Sequence, residues 1–128
     1  NNFGNYDAPA TGISIGLDRL VYALMQKKEF KVKQSKPVVI CVFDKNLMRE
    51  YVNVVAILRN ADISAEIYPG EGKLKKQMEY ANKINSPAVI LYGENEIKLG
   101  KPTIKNLESG KEISVLIEDI ENEIKKII

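Results

Sequence analysis

The sequence predicts an α/β fold: a mixed, mostly parallel five-stranded sheet with helices on both faces, preceded by a separate strand and helix. Residues 37–43 and 87–92 are continuously apolar, which is typical of strands covered on both faces. Helical periodicity separates the strand patterns, and this alternation favours right-handed crossovers between parallel strands. Two short strand patterns around Ser109-Gly110 predict a hairpin added at the sheet edge.

The composition narrows the possible functions. The chain has 128 residues, 45% of them apolar, which suits one compact domain with a real core and an appendage. It has no histidine and one cysteine, so His-based catalysis, His or CxxC metal sites and internal disulfides are excluded. The single cysteine fits a reducing compartment. A net charge of +2 gives no global field for nucleic acid, so an RNA-binding surface must be local. No apolar run reaches membrane-spanning length, and we expect neither a membrane nor a DNA partner.

The first segment changes period in its middle. Ile13 and Ile15 alternate with Ser14, which predicts a strand, and the apolar spacing of residues 17–24 then becomes helical. The strand and helix together occupy about residues 11–26. Residues 27–36 carry five lysines against one glutamate, and we interpret them as a solvated linker at a domain boundary.

The junction between this strand and helix could bind an anion. Gly12 and Gly16 leave room for a ring or another backbone to approach. Arg19 lies in the first turn of the helix, beside unpaired N–H groups and the positive end of the dipole. The alternative is a packing junction whose Asp18 and Arg19 form a solvated pair of little value.

The remaining elements follow in order. After the first buried strand, which contains Cys41 as a small core residue, Asp44 or Asn46 can cap a helix. The apolar stripe of this helix comprises Leu47, Tyr51, Val54, Val55 and Leu58. Residues 63–67 alternate in polarity and predict an edge strand. A helix over about residues 73–85 is expected to bury Leu74, Met78, Ala81 and Ile84. The central strand, the hairpin and a final helix over about residues 117–128 complete the domain.

Two groups of polar residues suggest RNA binding. On a helical wheel Lys73, Lys76, Tyr80 and Lys83 share a face, which offers lysines to phosphates and a tyrosine to a base. The alternative is a solvated lysine face. Glu94 and Asn95 follow the central strand, at the carboxyl end where open α/β sheets place ligands. There a carboxylate could accept from a guanine edge, and simple turn chemistry is the alternative.

Two parts of the chain resemble the histidyl-tRNA synthetases, a family of class II aminoacyl-tRNA synthetases. The run Pro9–Leu20 resembles the third signature motif of that class. From Pro37 onward the chain resembles the anticodon-binding domain that ends these enzymes, most specifically in Gly70–Gln77 and Val89–Glu96. The resemblance implies that residues 1–26 end a catalytic domain, that 27–36 are a linker, and that 37–128 bind the anticodon.

The resemblance also implies a reaction and site residues. ATP and histidine would give histidyl-adenylate, and the histidyl group would pass to histidine tRNA. Gly12 and Gly16 would make room for the adenine, and Arg19 would bind the ATP phosphates and act in catalysis. The residues expected to bind the tRNA are Lys73, Lys75, Lys76, Gln77, Tyr80, Glu94 and Asn95.

The whole enzyme would need ATP and Mg²⁺, form a homodimer and work in the cytoplasm. This piece alone lacks the first two class motifs, so we expect it to be inactive and to bind no cofactor tightly. Two alternatives stay open: a synthetase-like regulatory subunit of ATP phosphoribosyltransferase, and a non-catalytic RNA-binding module.

Overall fold

The structure, a computed structural model, describes residues 11–27 and 35–128, which belong to two compact units. In the first unit, helix α1 (Leu17–Met25) confirms the predicted helix. The strand predicted before it is wrong, because residues 11–16 have no strand pairing and Ile13 is 93% exposed. A strand needs a neighbour for its backbone groups, and the described residues give this segment none.

The second unit is built on a five-stranded sheet. Its strands are β1 (Val38–Ile40), β2 (Ala65–Ile67), β3 (Ala88–Leu91), β4 (Thr103–Asn106) and β5 (Glu112–Ser114). The spatial order is β2-β1-β3-β4-β5, with β1 parallel to β2 and β3, and with antiparallel pairs β3–β4 and β4–β5. Only β4 runs against the other four strands. The mixed sheet, the edge position of β2 and the hairpin at the other edge are confirmed.

Helical segments follow β1, β2, β3 and β5. They are the 3₁₀ turn Lys45–Leu47, α2 (Met48–Asn60), α3 (Leu74–Lys83), α4 (Glu94–Leu99), the 3₁₀ turn Ile117–Asp119 and α5 (Ile120–Lys125). The Asp44 carboxylate accepts a bond of 2.8 Å from the Asn46 N–H, so Asp44 is the cap. Helix α4 was not predicted. It begins where the Gly93 N–H donates to the Glu96 carboxylate at 3.0 Å and ends at Gly100, whose φ is +63°.

The sheet is covered on both faces, as predicted. Alternate residues of β1 point to opposite sides, so Val38 and Ile40 pack in one cluster and Val39 and Cys41 in another. Helices α2 and α5 supply the first cluster and α3 supplies the second. Cys41 is fully buried, which confirms it as a core residue, and this burial raises the pKa of its thiol to about 11. No helix within residues 11–27 and 35–128 is long and apolar enough to cross a membrane.

Candidate nucleic-acid interface

Three loops meet at one edge of the sheet. Because β1, β2 and β3 are parallel, the residues that follow them leave the sheet on the same side. We call this the carboxyl edge, formed by residues 42–46, 68–73 and 92–96. The predicted polar residues Lys73, Glu94 and Asn95 lie in or next to these loops. The carboxyl edge is therefore the candidate ligand site.

The side chain of Gln77, in α3, ties two of the loops together. Its Nε2 donates to the Val42 carbonyl at 2.6 Å and to the Gly72 carbonyl at 3.0 Å. Its Oε1 accepts from the Val42 N–H at 2.8 Å. The residue is only 2% exposed. Gln77 was predicted to bind RNA, but its amide is buried and fully used in holding the fold.

An ion pair bridges the same two loops at the surface. The ammonium of Lys45, after β1, donates to the carboxylate of Glu71, after β2. This hydrogen bond and the positive charge lower the pKa of Glu71. Both side chains are exposed, so the pair adds little to stability, yet it places one cation and one anion on the carboxyl edge.

An exposed aromatic ring links the first and third loops. The Phe43 N–H donates to the hydroxyl of the buried Tyr51 at 3.2 Å, which fixes the backbone of this residue. The ring lies beside Gly93: a Cβ added to that glycine would be 3.7 Å from Phe43 Cδ2. Phe43 is 48% exposed. Sequence reasoning missed it, although an aromatic residue at the end of a buried strand, just before a capping aspartate, was a visible signal.

The lysines at the start of α3 face solvent. Lys73 precedes the first turn, and Lys73, Lys75 and Lys76 line an open cavity of about 420 Å³. The cavity also includes Glu79, a carboxylate that the sequence reasoning did not consider. Several mobile ammonium groups around one open surface can bind phosphates. Of the lysines predicted to share a face, Lys73 and Lys76 line this cavity, whereas Lys83 is exposed at the end of α3 and does not line it.

Tyr80 is half-buried and does not line that cavity, and its predicted stacking on a base stays a prediction. Its hydroxyl donates to the Glu66 carboxylate at 2.6 Å, and its ring meets the Tyr68 ring edge-on with centroids 5.4 Å apart. Donation to Glu66, followed by burial, raises the pKa of Tyr80. Residues 77, 80, 81 and 84 follow helical spacing toward the sheet. Leu74, which was expected to be buried, is 37% exposed instead.

Glu94 and Asn95 are exposed in the first turn of α4, directly after Gly93. The Glu94 carboxylate accepts from Lys98 Nζ at 2.7 Å, one turn along the helix. Contacts through Gly93, Phe43, Val42 and Gln77 connect this turn to the start of α3. The two predicted groups of polar residues, on α3 and after β3, thus belong to one edge.

The residues predicted to bind ATP lie in the first unit. Gly16 precedes α1, and a Cβ added to it would lie 3.8 Å from carbons of the Arg19 side chain. Arg19 is exposed in the first helical turn, and no atom of the described residues lies within 4 Å of a Cβ added to Gly12. The guanidinium can therefore reach an anion, while residues 11–27 do not by themselves enclose one.

Residues 37–127 match the family model described as the anticodon binding domain. The chain belongs to the anticodon-binding domain family. This confirms the resemblance found from Pro37 onward in the sequence.

Named relatives extend the match to the first unit. The chain is 40% identical to a histidine–tRNA ligase of Pelagibacter ubique over 100% of its own length and 29% of the relative. It is 42% identical to that of Ruegeria pomeroyi over 88% of the chain and 23% of the relative. The histidyl-tRNA synthetase of Nostoc sp. PCC 7120 superposes with a TM-score of 0.70 at 28% identity, covering 88% of this chain and 28% of that one. The chain thus spans less than a third of these relatives.

Proposed function

We propose that the chain is part of a histidine–tRNA ligase and that its domain of residues 37–128 binds the tRNA anticodon. The observation that carries this proposal is the 40% identity, over the whole chain, to a protein named histidine–tRNA ligase. The family match over residues 37–127 supports the anticodon role. The whole ligase would activate histidine with ATP and transfer it to histidine tRNA in the cytoplasm.

The carboxyl edge supports a division of work in tRNA binding. Lys75 and Lys76 carry exposed charges that suit the RNA backbone, which has one phosphate per nucleotide. Glu94 and Asn95 carry short polar groups on a firm helix start, which suits contacts to the edges of unstacked bases. The lysines then supply affinity for any RNA, and the two residues of α4 supply preference for one anticodon.

The first unit supports a role for Arg19 in ATP binding. Its exposed guanidinium in the first turn of α1 fits a phosphate, because it can donate two charge-assisted hydrogen bonds at once. Gly12 and Gly16 would lie beside the adenine, and Mg²⁺ bound with ATP would neutralise phosphate charge. The rest of that site and the homodimer contacts would come from the whole ligase, so residues 1–128 alone should not aminoacylate tRNA.

The proposal is tested by the affinity of the 128-residue chain for histidine tRNA and for the same tRNA with its anticodon replaced, each at two salt concentrations. We expect tighter binding of the native anticodon. Glu94→Ala should reduce that preference by about 5- to 150-fold, the value of one well-made base contact. Lys76→Ala should weaken both RNAs alike and lower the salt slope by about 0.7, the value of one single-stranded phosphate contact.

A matched lysine serves as the control. Lys111 is exposed in the turn between β4 and β5. This turn lies at the end of the strands opposite the carboxyl edge, because the Leu107 N–H donates to the carbonyl of Pro87, the residue before β3. Lys111→Ala should leave the affinity and the salt slope unchanged. Equal binding of the two tRNAs by the unmodified chain would contradict anticodon recognition, and absence of binding would contradict the RNA-binding role.

A further inference from the structure

We propose that the phenyl ring of Phe43 is the stacking platform for one unpaired base of the RNA bound at the carboxyl edge. The inference rests on the proposed function and adds a residue that the sequence did not single out. A stacking residue needs three properties: a fixed backbone position, a ring open to solvent, and neighbours that suit the rest of the nucleotide. Phe43 has all three.

The position of Phe43 is fixed by buried neighbours. The preceding residue, Val42, has both its N–H and its carbonyl bound by the side chain of Gln77, at 2.8 and 2.6 Å. The Phe43 N–H donates to the Tyr51 hydroxyl at 3.2 Å. Gln77 is 2% exposed and Tyr51 is fully buried. The ring therefore projects from a backbone held on both sides, and ordering it against a base costs little further conformational entropy.

The ring remains open to solvent despite this firm backbone. Phe43 is 48% exposed, whereas Val38, Val39 and Ile40 of the same run are fully buried. Its neighbour in the third loop is Gly93, which has no side chain to cover it. Every base has an apolar face that can stack on an aromatic ring, and removal of such a contact costs binding for any base. Phe43 thus offers affinity without selecting the base.

The surroundings of Phe43 favour a nucleotide over another apolar partner. Glu94 and Asn95, which carry groups suited to base edges, directly follow Gly93, the glycine that the ring lies against, and the Glu96 carboxylate is bound at the same glycine. Lys45, which is paired with Glu71, is two residues away, and the lysines at the start of α3 precede Gln77, whose side chain binds Val42. An apolar protein segment would have to desolvate these charges, whereas a nucleotide presents its face to the ring and its phosphate to the lysines.

The test compares three replacements of Phe43. Phe43→Leu keeps an apolar side chain over Gly93 but has no π face, Phe43→Trp keeps the face, and Phe43→Ala removes both. We expect Leu and Ala to weaken binding of histidine tRNA and of the anticodon-replaced tRNA equally, by about 5- to 150-fold, and Trp to retain it. The salt slope should not change, because no charge is lost. The control is Val52→Ala, which shortens an exposed apolar side chain elsewhere, on α2. Its affinity for both tRNAs should equal that of the unmodified chain.

Abasic RNA identifies the stacked base. Removal of one base from the anticodon loop should weaken binding of the RNA to the unmodified chain. The same abasic RNA and the intact RNA should bind Phe43→Leu with equal affinity. If the unmodified chain prefers the native anticodon but Phe43→Leu binds as tightly as it does, stacking is refuted and the proposed function stands. If the unmodified chain binds no RNA, both fail. Urea midpoints of the three variants near that of the unmodified chain show that lost binding is not lost folding.

Discussion

The two sides of α3 both carry polar residues, but those on one side form hydrogen bonds within the fold and those on the other side are exposed to solvent. On the sheet side, Gln77 is buried with three hydrogen bonds and Tyr80 donates to Glu66. On the solvent side, Lys75 and Lys76 are exposed around an open cavity. A polar residue on a helix thus reports function only once its partners are known. The sheet side should govern stability and the solvent side RNA affinity.

Replacement of Gln77 should break the sheet side most severely. Gln77→Ala leaves the N–H and carbonyl of Val42 without their partner, at about 1–3 kcal/mol for each orphaned group, while the carbonyl of the exposed Gly72 can bind water instead. We therefore expect the free energy of unfolding to fall by about 2–6 kcal/mol. Urea denaturation followed by circular dichroism measures this loss.

The isosteric variant Gln77→Glu refines the result. Its carboxylate can still accept from the Val42 N–H but places negative charge against the carbonyls of Val42 and Gly72, so it should also be destabilised. A loss below about 0.5 kcal/mol for both variants, the usual range of surface changes, would contradict a structural role for Gln77.

The next largest effect should come from Tyr80→Phe, which removes one hydrogen bond and leaves the ring. The loss should be about 1 kcal/mol at neutral pH. Because the pKa of Tyr80 is raised in the folded state, its contribution is fully present below the unfolded phenol pKa of about 10. It is lost as the pH rises through the folded pKa. Stability curves of both proteins at pH 8 to 11 should therefore converge at the alkaline end, and a constant difference would argue against this bond.

The smallest effect on stability should come from the solvent side. Lys75→Ala and Lys76→Ala remove exposed charges and should change the free energy of unfolding by less than about 0.5 kcal/mol. Their effect on RNA should be additive, with the salt slope falling further in the double variant than in either single one. A double variant with lower stability but the same salt slope as the unmodified chain would contradict the assignment of RNA binding to the solvent side of α3.

The thiol of Cys41 offers an independent check on the sheet side. It is fully buried in the cluster below α3, and burial raises its pKa to about 11. A thiol-specific reagent at neutral pH should react with it only as fast as the domain opens. The rate should rise in Gln77→Ala and remain unchanged in Lys76→Ala. Fast reaction in the unmodified protein would contradict the buried position.

Elements with a strong pattern were predictable, and those set by tertiary contacts were not. The continuous apolar runs identified β1 and β3, and the stripe through Tyr51 and Leu58 identified α2. Helix α4 was missed because six residues carry too little periodicity, although Gly93, Glu96 and Gly100 were signals for its ends. The strand before α1 was predicted from alternation alone, which cannot supply a neighbouring strand.

The candidate site was predicted in part. The sequence pointed to the lysines of α3 and to the residues after β3 as two separate groups, and the structure places both at the carboxyl edge, because parallel strands share their carboxyl ends. It could not show that Gln77 is buried or that the Tyr80 hydroxyl binds Glu66, since polar residues are usually assigned to the surface when no partner is visible. Phe43 was assigned to a strand because an aromatic residue ending an apolar run looks like core.

The contacts that assemble the carboxyl edge join distant parts of the chain: Val42 and Gln77 are 35 positions apart, and Lys45 and Glu71 are 26 apart. Such an edge exists only after the parallel crossovers have formed, which is a slow kind of contact in folding. During synthesis on the ribosome, the carboxyl edge therefore cannot form until β3 has been synthesised and has paired with β1. An RNA that binds there binds the native state alone, and by mass action it should raise the melting temperature of the whole domain.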